Sequence, residues 1–336
     1  MTSLTFSMVF DVKKIIFSGF CLLSAFSLWA NDPLLDNSVL SVEIPRFDEE
    51  GRLSWRLQAK EVLPAGENQY QAKDPVLRTI AGFGRITDAR TSEGVFDVKE
   101  GKASGKDTLR VRGEGFLAQG EDWFWQEKAE DGFHKMAFRK EGSVSFSEVE
   151  SPLFASLAES PAISIHQSEP ITKKTSSGEF QSTVADADYM EMVALEDGGY
   201  RFLLQGGVRI SGNEVEITCS RMEVFLLSED NSTTSVKFGK IKQINALDSV
   251  TLKQPGRVCH ADRLHLDGIS GVALLEGSAK VIDEEWGMAT GEKIFLESGT
   301  RKARIEKTDQ VRPRLTLPEI QNFNLPFGKE ASGENQ

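Results

Sequence analysis

A chain of 336 residues, 39% hydrophobic and 27% charged, has the length of about two domains and can bury a full core without metal or disulfide staples. Its net charge of −12 excludes a general nucleic-acid binder, whose affinity comes from Lys and Arg on phosphates, and argues against a membrane-surface protein held by basic patches. Four histidines and three cysteines leave little material for a metal cluster.

Lys13-Lys14 precede an apolar run from Ile15 to Ala30, which ends before Asn31-Asp32. A basic start, a short apolar stretch and a small terminal residue read as a secretory signal cleaved near Ala30. The other reading is an inner-membrane anchor through residues 15–30, a run shorter than the roughly 20 residues of a comfortable span. Either way the protein is expected in the periplasm. Cys219 and Cys259 then stand in an oxidising compartment, as a disulfide or as two small buried apolar residues.

From residue 31 onward apolar side chains alternate, the mark of half-buried strands. Val42 and Ile44, then Leu53, Trp55, Leu57 and Ala59, flank an acidic turn at 48–51 and predict a hairpin over 41–60. Tyr70 to Ile80 predicts a strand broken at Asp74-Pro75. Short strands follow at 83–86, 95–98, 109–111, 116–118, 123–125, 136–138 and 144–146, punctuated by glycines. Residues 147–180 carry Pro152, Pro161, Pro170 and many serines. They predict an extended linker with one edge strand at 163–165.

Beyond 181 the cadence resumes and repeats. Phe202–Ile210, Ala246–Leu252 and Ala273–Val281 are entry strands. Cys219–Val224, Ala261–Leu266 and Gly291–Leu296 are return strands of one form: small, polar, basic, apolar, any, apolar. The return strands start 42 residues apart (219 to 261) and then 30 apart (261 to 291), the extra length falling in the polar loop 228–240. Such spacing predicts strand pairs stacked into a rolled sheet. In this register Cys259 aligns with Ile217 and lies diagonal to Cys219. Residues 326–336 read as a disordered tail.

The second half, about 181–320, resembles the LptA/OstA family of periplasmic lipopolysaccharide-transport proteins. The resemblance is carried by Leu204-x-Gly206-x-Val208-x-Ile210, by Ala261–Leu266, by Leu275-x-Gly277-x-Ala279-x-Val281 and by the ending 311–318. The first half is similar to LptC of the same pathway, through 42–48, the alternating Gly51–Ala59, Tyr70 and 74–77. This implies an all-β protein of two twisted, incompletely closed β-roll modules in tandem: 31–146 LptC-like, 147–180 linker, 181–325 LptA/OstA-like. It further implies a non-enzymatic carrier or bridge that holds the acyl chains of lipopolysaccharide or a similar lipid in an apolar groove during transport to the outer membrane. The groove candidates are Phe202, Leu204, Val208, Ile210, Val250, Leu252, Leu264, Leu266, Leu275, Ala279, Val281, Ile294 and Leu296, with Gly206 and Gly277 leaving room on the same face. Other β-roll transport proteins would add to free strand edges.

Two other readings stand beside this one. The same residues could fill a core, making the chain a structural β-scaffold for envelope protein contacts. A carbohydrate-active enzyme is the third, since Trp55, Trp123, Trp125 and Trp286 could stack on sugars. No catalytic motif, metal site or cofactor site is nominated. His260 and His265, five apart in one strand, are expected on opposite faces, and His134 and His166 are isolated.

Overall fold

The computed structural model describes residues 39–128, 134–146, 182–212, 215–227, 241–297, 302–306 and 312–317. The expected signal or anchor, linker and tail lie outside these residues, as does the edge strand expected at 163–165. The described chain is one antiparallel sheet, coiled on itself and not closed into a barrel.

Its first half holds β1 (Val39–Phe47), β2 (Leu53–Pro64), β3 (Gln69–Lys73), β4 (Val76–Ile80), β5 (Ile86–Arg90), β6 (Glu93–Asp97), β7 (Lys102–Gly105), β8 (Leu109–Gly113), β9 (Phe116–Gln126) and β10 (Lys135–Phe146). Its second half holds β11 (Thr183–Ala187), β12 (Tyr189–Ala194), β13 (Tyr200–Gly212), β14 (Val215–Leu226), β15 (Ile241–Gln254), β16 (Arg257–Asp267), β17 (Val272–Asp283), β18 (Gly287–Glu297), β19 (Ala303–Glu306) and β20 (Arg314–Thr316). Short strands work in pairs, each pair making one row of the sheet. β3 and β4 both pair with β2. Likewise β7 and β8 both pair with β9, and β11 and β12 both pair with β10. The two expected modules are thus joined by strand pairing across β10 and the β11–β12 row.

Each row bends near its middle, and the sequence shows why. In the first half some rows break outright, at Asp74-Pro75 for example, where proline cannot donate to a ladder, while the β9–β10 pair shifts register between Lys140 and Ser143. In the second half they carry bulges. The register shifts between Gln205 and Val208, Thr218 and Arg221, Leu247 and Val250, His260 and Arg263, and Glu276 and Ala279. Bulges bend a strand and sharpen its twist, so a line of them folds the sheet over. The return motif is this corner: Cys219 points inward, Ser220 turns, Arg221 points out and Met222 points in again. Entry strands take the corner with paired positive φ angles, at Gly206-Gly207 (76° and 52°), Asp248-Ser249 (64° and 57°) and Gly277-Ser278 (73° and 47°). Glycine at 206 and 277 answers a second demand. A Cβ there would lie 3.0 Å from the Asp188 Cβ and 2.9 Å from the Asp262 Cβ.

Folding over brings side chains from distant rows into contact across the interior. Phe202 meets Phe116 at 5.1 Å and Phe146 at 5.4 Å between ring centroids, both edge to face. Trp55 and Trp125 meet at 5.5 Å in the same way. The Thr87 hydroxyl and the Tyr200 hydroxyl share a hydrogen bond of 3.0 Å.

Several local expectations are corrected. The pieces expected at 116–118 and 123–125 are one strand, β9, and those at 136–138 and 144–146 are β10, because bulged strands lose their alternation at the corner. Gly82–Gly84 is a 3₁₀ turn, with β5 starting only at Ile86. β7, whose Lys102–Gly105 carries one apolar side chain, had no sequence signal.

Candidate functional site

All thirteen groove candidates lie on one inner face. Row by row they stand opposite one another: Leu204, Met222, Ala246, Leu264, Leu275 and Ile294 form one line across six strands. Phe202, Leu266 and Leu296 belong to a parallel line on one side of the corner. Ile210, Leu252 and Val281 belong to a line on the other side. Val208, Val250 and Ala279 sit just past the corners. Every candidate is buried, none more than 3% exposed. The face is therefore continuous, and its two flanks are closed against each other. Gly206 and Gly277 are corner residues and do not widen it.

The inner face continues into the first half, which the candidate list missed. Trp55, Trp123, Trp125, Met136, Phe138 and Phe146 are fully buried there. Their signal in sequence is the same alternation with one step of three at each corner, as in Ala118, Gly120 and Trp123. Burial removes the sugar-stacking reading for Trp55, Trp123 and Trp125, while Trp286 is exposed. A cavity of about 10 Å³ lies among Leu77, Phe96, Leu109, Trp123, Trp125 and Met136, the room of a single water. Among the described residues the indole N–H groups of Trp55, Trp123 and Trp125 have no acceptor. His134 stacks on Trp125 at 6.0 Å and its Nε2 lies 3.2 Å from the Ile80 carbonyl oxygen. Burial, the largest influence, holds its pKa below the ordinary histidine value.

The two halves are closed differently. Between the halves a hydrogen bond crosses the interior, shared by the Thr87 and Tyr200 hydroxyls, and in the first half Ser54 Oγ donates to the part-buried Glu127 Oε1 at 3.3 Å. From β14 to β18 the buried side chains are largely aliphatic, among them Ile217, Val224, Leu252, Leu264 and Leu275.

Cys219 and Cys259 are free and buried. The disulfide is corrected by topology: β15 lies between β14 and β16, so the residues are two strand spacings apart. That is about 9.6 Å, beyond the roughly 7 Å a bridge tolerates. Burial pushes the Cys219 thiol up to about 11 and the Cys259 thiol up to about 12. At pH 8 the thiolate fraction is then about one in a thousand at Cys219 and one in ten thousand at Cys259. Native protein is expected to leave both thiols unlabelled by a thiol-reactive dye over an hour, and guanidinium-unfolded protein to label both at once. Labelling of either at the unfolded rate in native protein would contradict the closed interior.

His260 and His265 share the outer face, because the bulge between them adds a residue and reverses the alternation. His260 Nδ1 lies 3.2 Å from Thr251 Oγ1, and His265 Nδ1 lies 2.7 Å from Asn245 Oδ1. Among the described residues no group of three or more His, Cys, Asp or Glu is placed to hold a metal ion.

The fold and its inner face define an incompletely closed antiparallel β-roll with an apolar interior. No family model matches the chain, and no match is found among curated proteins.

Proposed function

We propose that this chain is a non-enzymatic periplasmic carrier or bridge that holds the acyl chains of lipopolysaccharide, or of a similar lipid, between the flanks of its β-roll. One observation carries the reading: a single apolar inner face, in register from β13 to β18, runs on into the first half. An acyl chain entering between the flanks would lose water contact, which contributes about 0.8 kcal/mol per CH₂. Entry requires the flanks to part. The second half suits this, since the buried side chains of β14 to β18 are largely aliphatic and re-form contacts with a lipid tail at little polar cost. In the first half, the buried indole N–H groups offer donors to a lipid carbonyl. Among the described residues β1 pairs only with β2, so its other edge, with Val39 and Leu40 exposed, and the exposed Leu315 of β20 would give further β-rolls a place to add.

A second reading, the structural scaffold with a filled core, is favoured by the burial of all thirteen candidates. Photo-crosslinking in the producing cell separates the two. A photoreactive residue at Leu204 points inward, and one at Leu203, its neighbour, points outward. A lipid adduct at 204 and none at 203 is expected. Adducts at neither position, in folded and exported protein, would leave the scaffold.

A further inference from the structure

The net charge of −12 conceals a local reversal. On the outer face of the first half, Arg56 of β2 stands directly opposite Arg78 of β4, and Arg90 of β5 directly opposite Arg110 of β8. Arg112 of β8 stands opposite Asp88. Five arginines thus share four neighbouring strands. The carboxylates facing them are few. Asp88 receives two hydrogen bonds from Arg78, at 2.7 and 2.9 Å, and Glu43 of β1 one from Arg56 at 3.2 Å. Among the described residues Arg90, Arg110 and Arg112 have no carboxylate within ion-pair distance. Beside Arg90 and Arg110 opens a cleft of about 620 Å³, lined also by Lys106, Thr108, Asp107 and Glu121. Asp107 is engaged there by the Ser92 hydroxyl.

Like charges directly opposite each other destabilise a sheet, and this face has two such pairs. Asp88, toward which Arg78, Arg90 and Arg56 are all drawn, offsets part of the repulsion, but one carboxylate does not balance five guanidinium groups. Arginine forks match phosphate oxygens two at a time, and strand spacing sets neighbouring forks about 5 Å apart. Exposed apolar side chains flank them: Ile86, two residues from Asp88, is 47% exposed, and Leu117, opposite Arg112, is 42% exposed. Basic and apolar side chains mixed on one broad face fit a layer of headgroups over hydrocarbon better than a single dissolved anion.

We propose that the outer face of β2, β4, β5 and β8 docks on a bilayer surface displaying phosphate-bearing anionic headgroups, with Arg90 and Arg110 at its centre. This does not depend on whether the interior holds lipid. It also localises what net charge hides, since steering by a patch works within about a Debye length whatever the far side carries.

The test is co-sedimentation of the full chain at low ionic strength with vesicles of 30 mol% phosphatidylglycerol in phosphatidylcholine, a composition of about one anionic headgroup in three. Pure phosphatidylcholine vesicles measure any attachment through the N-terminal apolar segment. A basic residue at such a surface contributes about fivefold to partitioning, so the double variant Arg90→Gln/Arg110→Gln should bind about 25-fold more weakly. Its binding to pure phosphatidylcholine should be unchanged. Its melting temperature should match or exceed that of the parent, because a repulsive pair is gone. Arg209→Gln, which removes an outer-face arginine ion-paired to Glu216 in the second half, should bind as the parent does. Binding of the double variant within twofold of the parent would overturn the proposal. So would a parent that binds both vesicles equally, or one that binds inorganic pyrophosphate through Arg90 and Arg110 but ignores the anionic vesicles.

Discussion

Phe202→Ala is expected to lower the free energy of unfolding by about 3–5 kcal/mol, the range for deleting a large aromatic side chain from a packed core. Phe202 is fully buried and touches Phe116, Phe146 and, through Phe116, the ring of Tyr200 at 4.9 Å. These residues come from β9, β10 and β13, so the cluster is the interior joint between the two halves. Edge-to-face pairs add about 0.5–1.5 kcal/mol each beyond area burial, which puts Phe202 toward the upper end. Urea denaturation followed by far-ultraviolet circular dichroism measures the change. Leu203→Ala, on the opposite face of the same strand, should cost less than about 1 kcal/mol. A loss below about 1 kcal/mol at Phe202 would mean that the interior gives way easily there. That outcome would strengthen the lipid-holding reading at the expense of the filled core.

Much of this architecture was legible in the sequence. Strand character follows from period-two alternation, and every return strand named from its motif is a return strand. The placing of Leu264 and Ile294 on one face followed from that motif, since its apolar positions recur at fixed distance from a basic residue, and that of Leu204 and Leu275 from the shared Leu-x-Gly of their entry strands. What was not legible was the corner. A bulge costs one residue of phase and leaves the composition unchanged, so alternation alone divided β9 and β10 into pieces. The same phase slip put His260 and His265 on one face when their spacing says two. The disulfide failed for a related reason: residues near in repeat register were separated by an intervening strand. The arginine face was invisible for another cause. Arg56, Arg78, Arg90, Arg110 and Arg112 are scattered over more than fifty positions, and only the pairing of β2, β4, β5 and β8 assembles them. Whether the inner face holds a lipid is a question of how readily two packed flanks separate, which is a property of packing energy and not of pattern.

At the far tips of the second half, one ion pair should govern the response to acid. Arg257 and Asp283 face each other across β16 and β17, with side chains 7% and 5% exposed. Arg257 Nε donates to Asp283 Oδ2 at 3.0 Å. The other carboxylate oxygen accepts the N–H groups of Glu285 and Trp286, each at 3.0 Å, and so also shapes the turn into β18. Burial pushes the Asp283 pKa up, but the two backbone N–H groups and the guanidinium together outweigh it. The carboxyl therefore titrates below its ordinary value of 3.8. A folded-state pKa below the unfolded one contributes stability that is complete above the unfolded value and is lost as pH falls through the folded one. Asp283→Asn keeps an oxygen for the turn and removes the charge opposite a buried guanidinium. It should cost about 3 kcal/mol at pH 7, the lower end for breaking a buried pair. As pH falls through that lowered value the parent carboxyl is neutralised too, so the difference between parent and variant should shrink toward zero. Urea titrations of both proteins at pH 7 and at the most acid pH where the parent still folds give the comparison. A penalty near zero at both would assign the role of Asp283 to the turn alone, because the asparagine oxygen still accepts the N–H groups of Glu285 and Trp286.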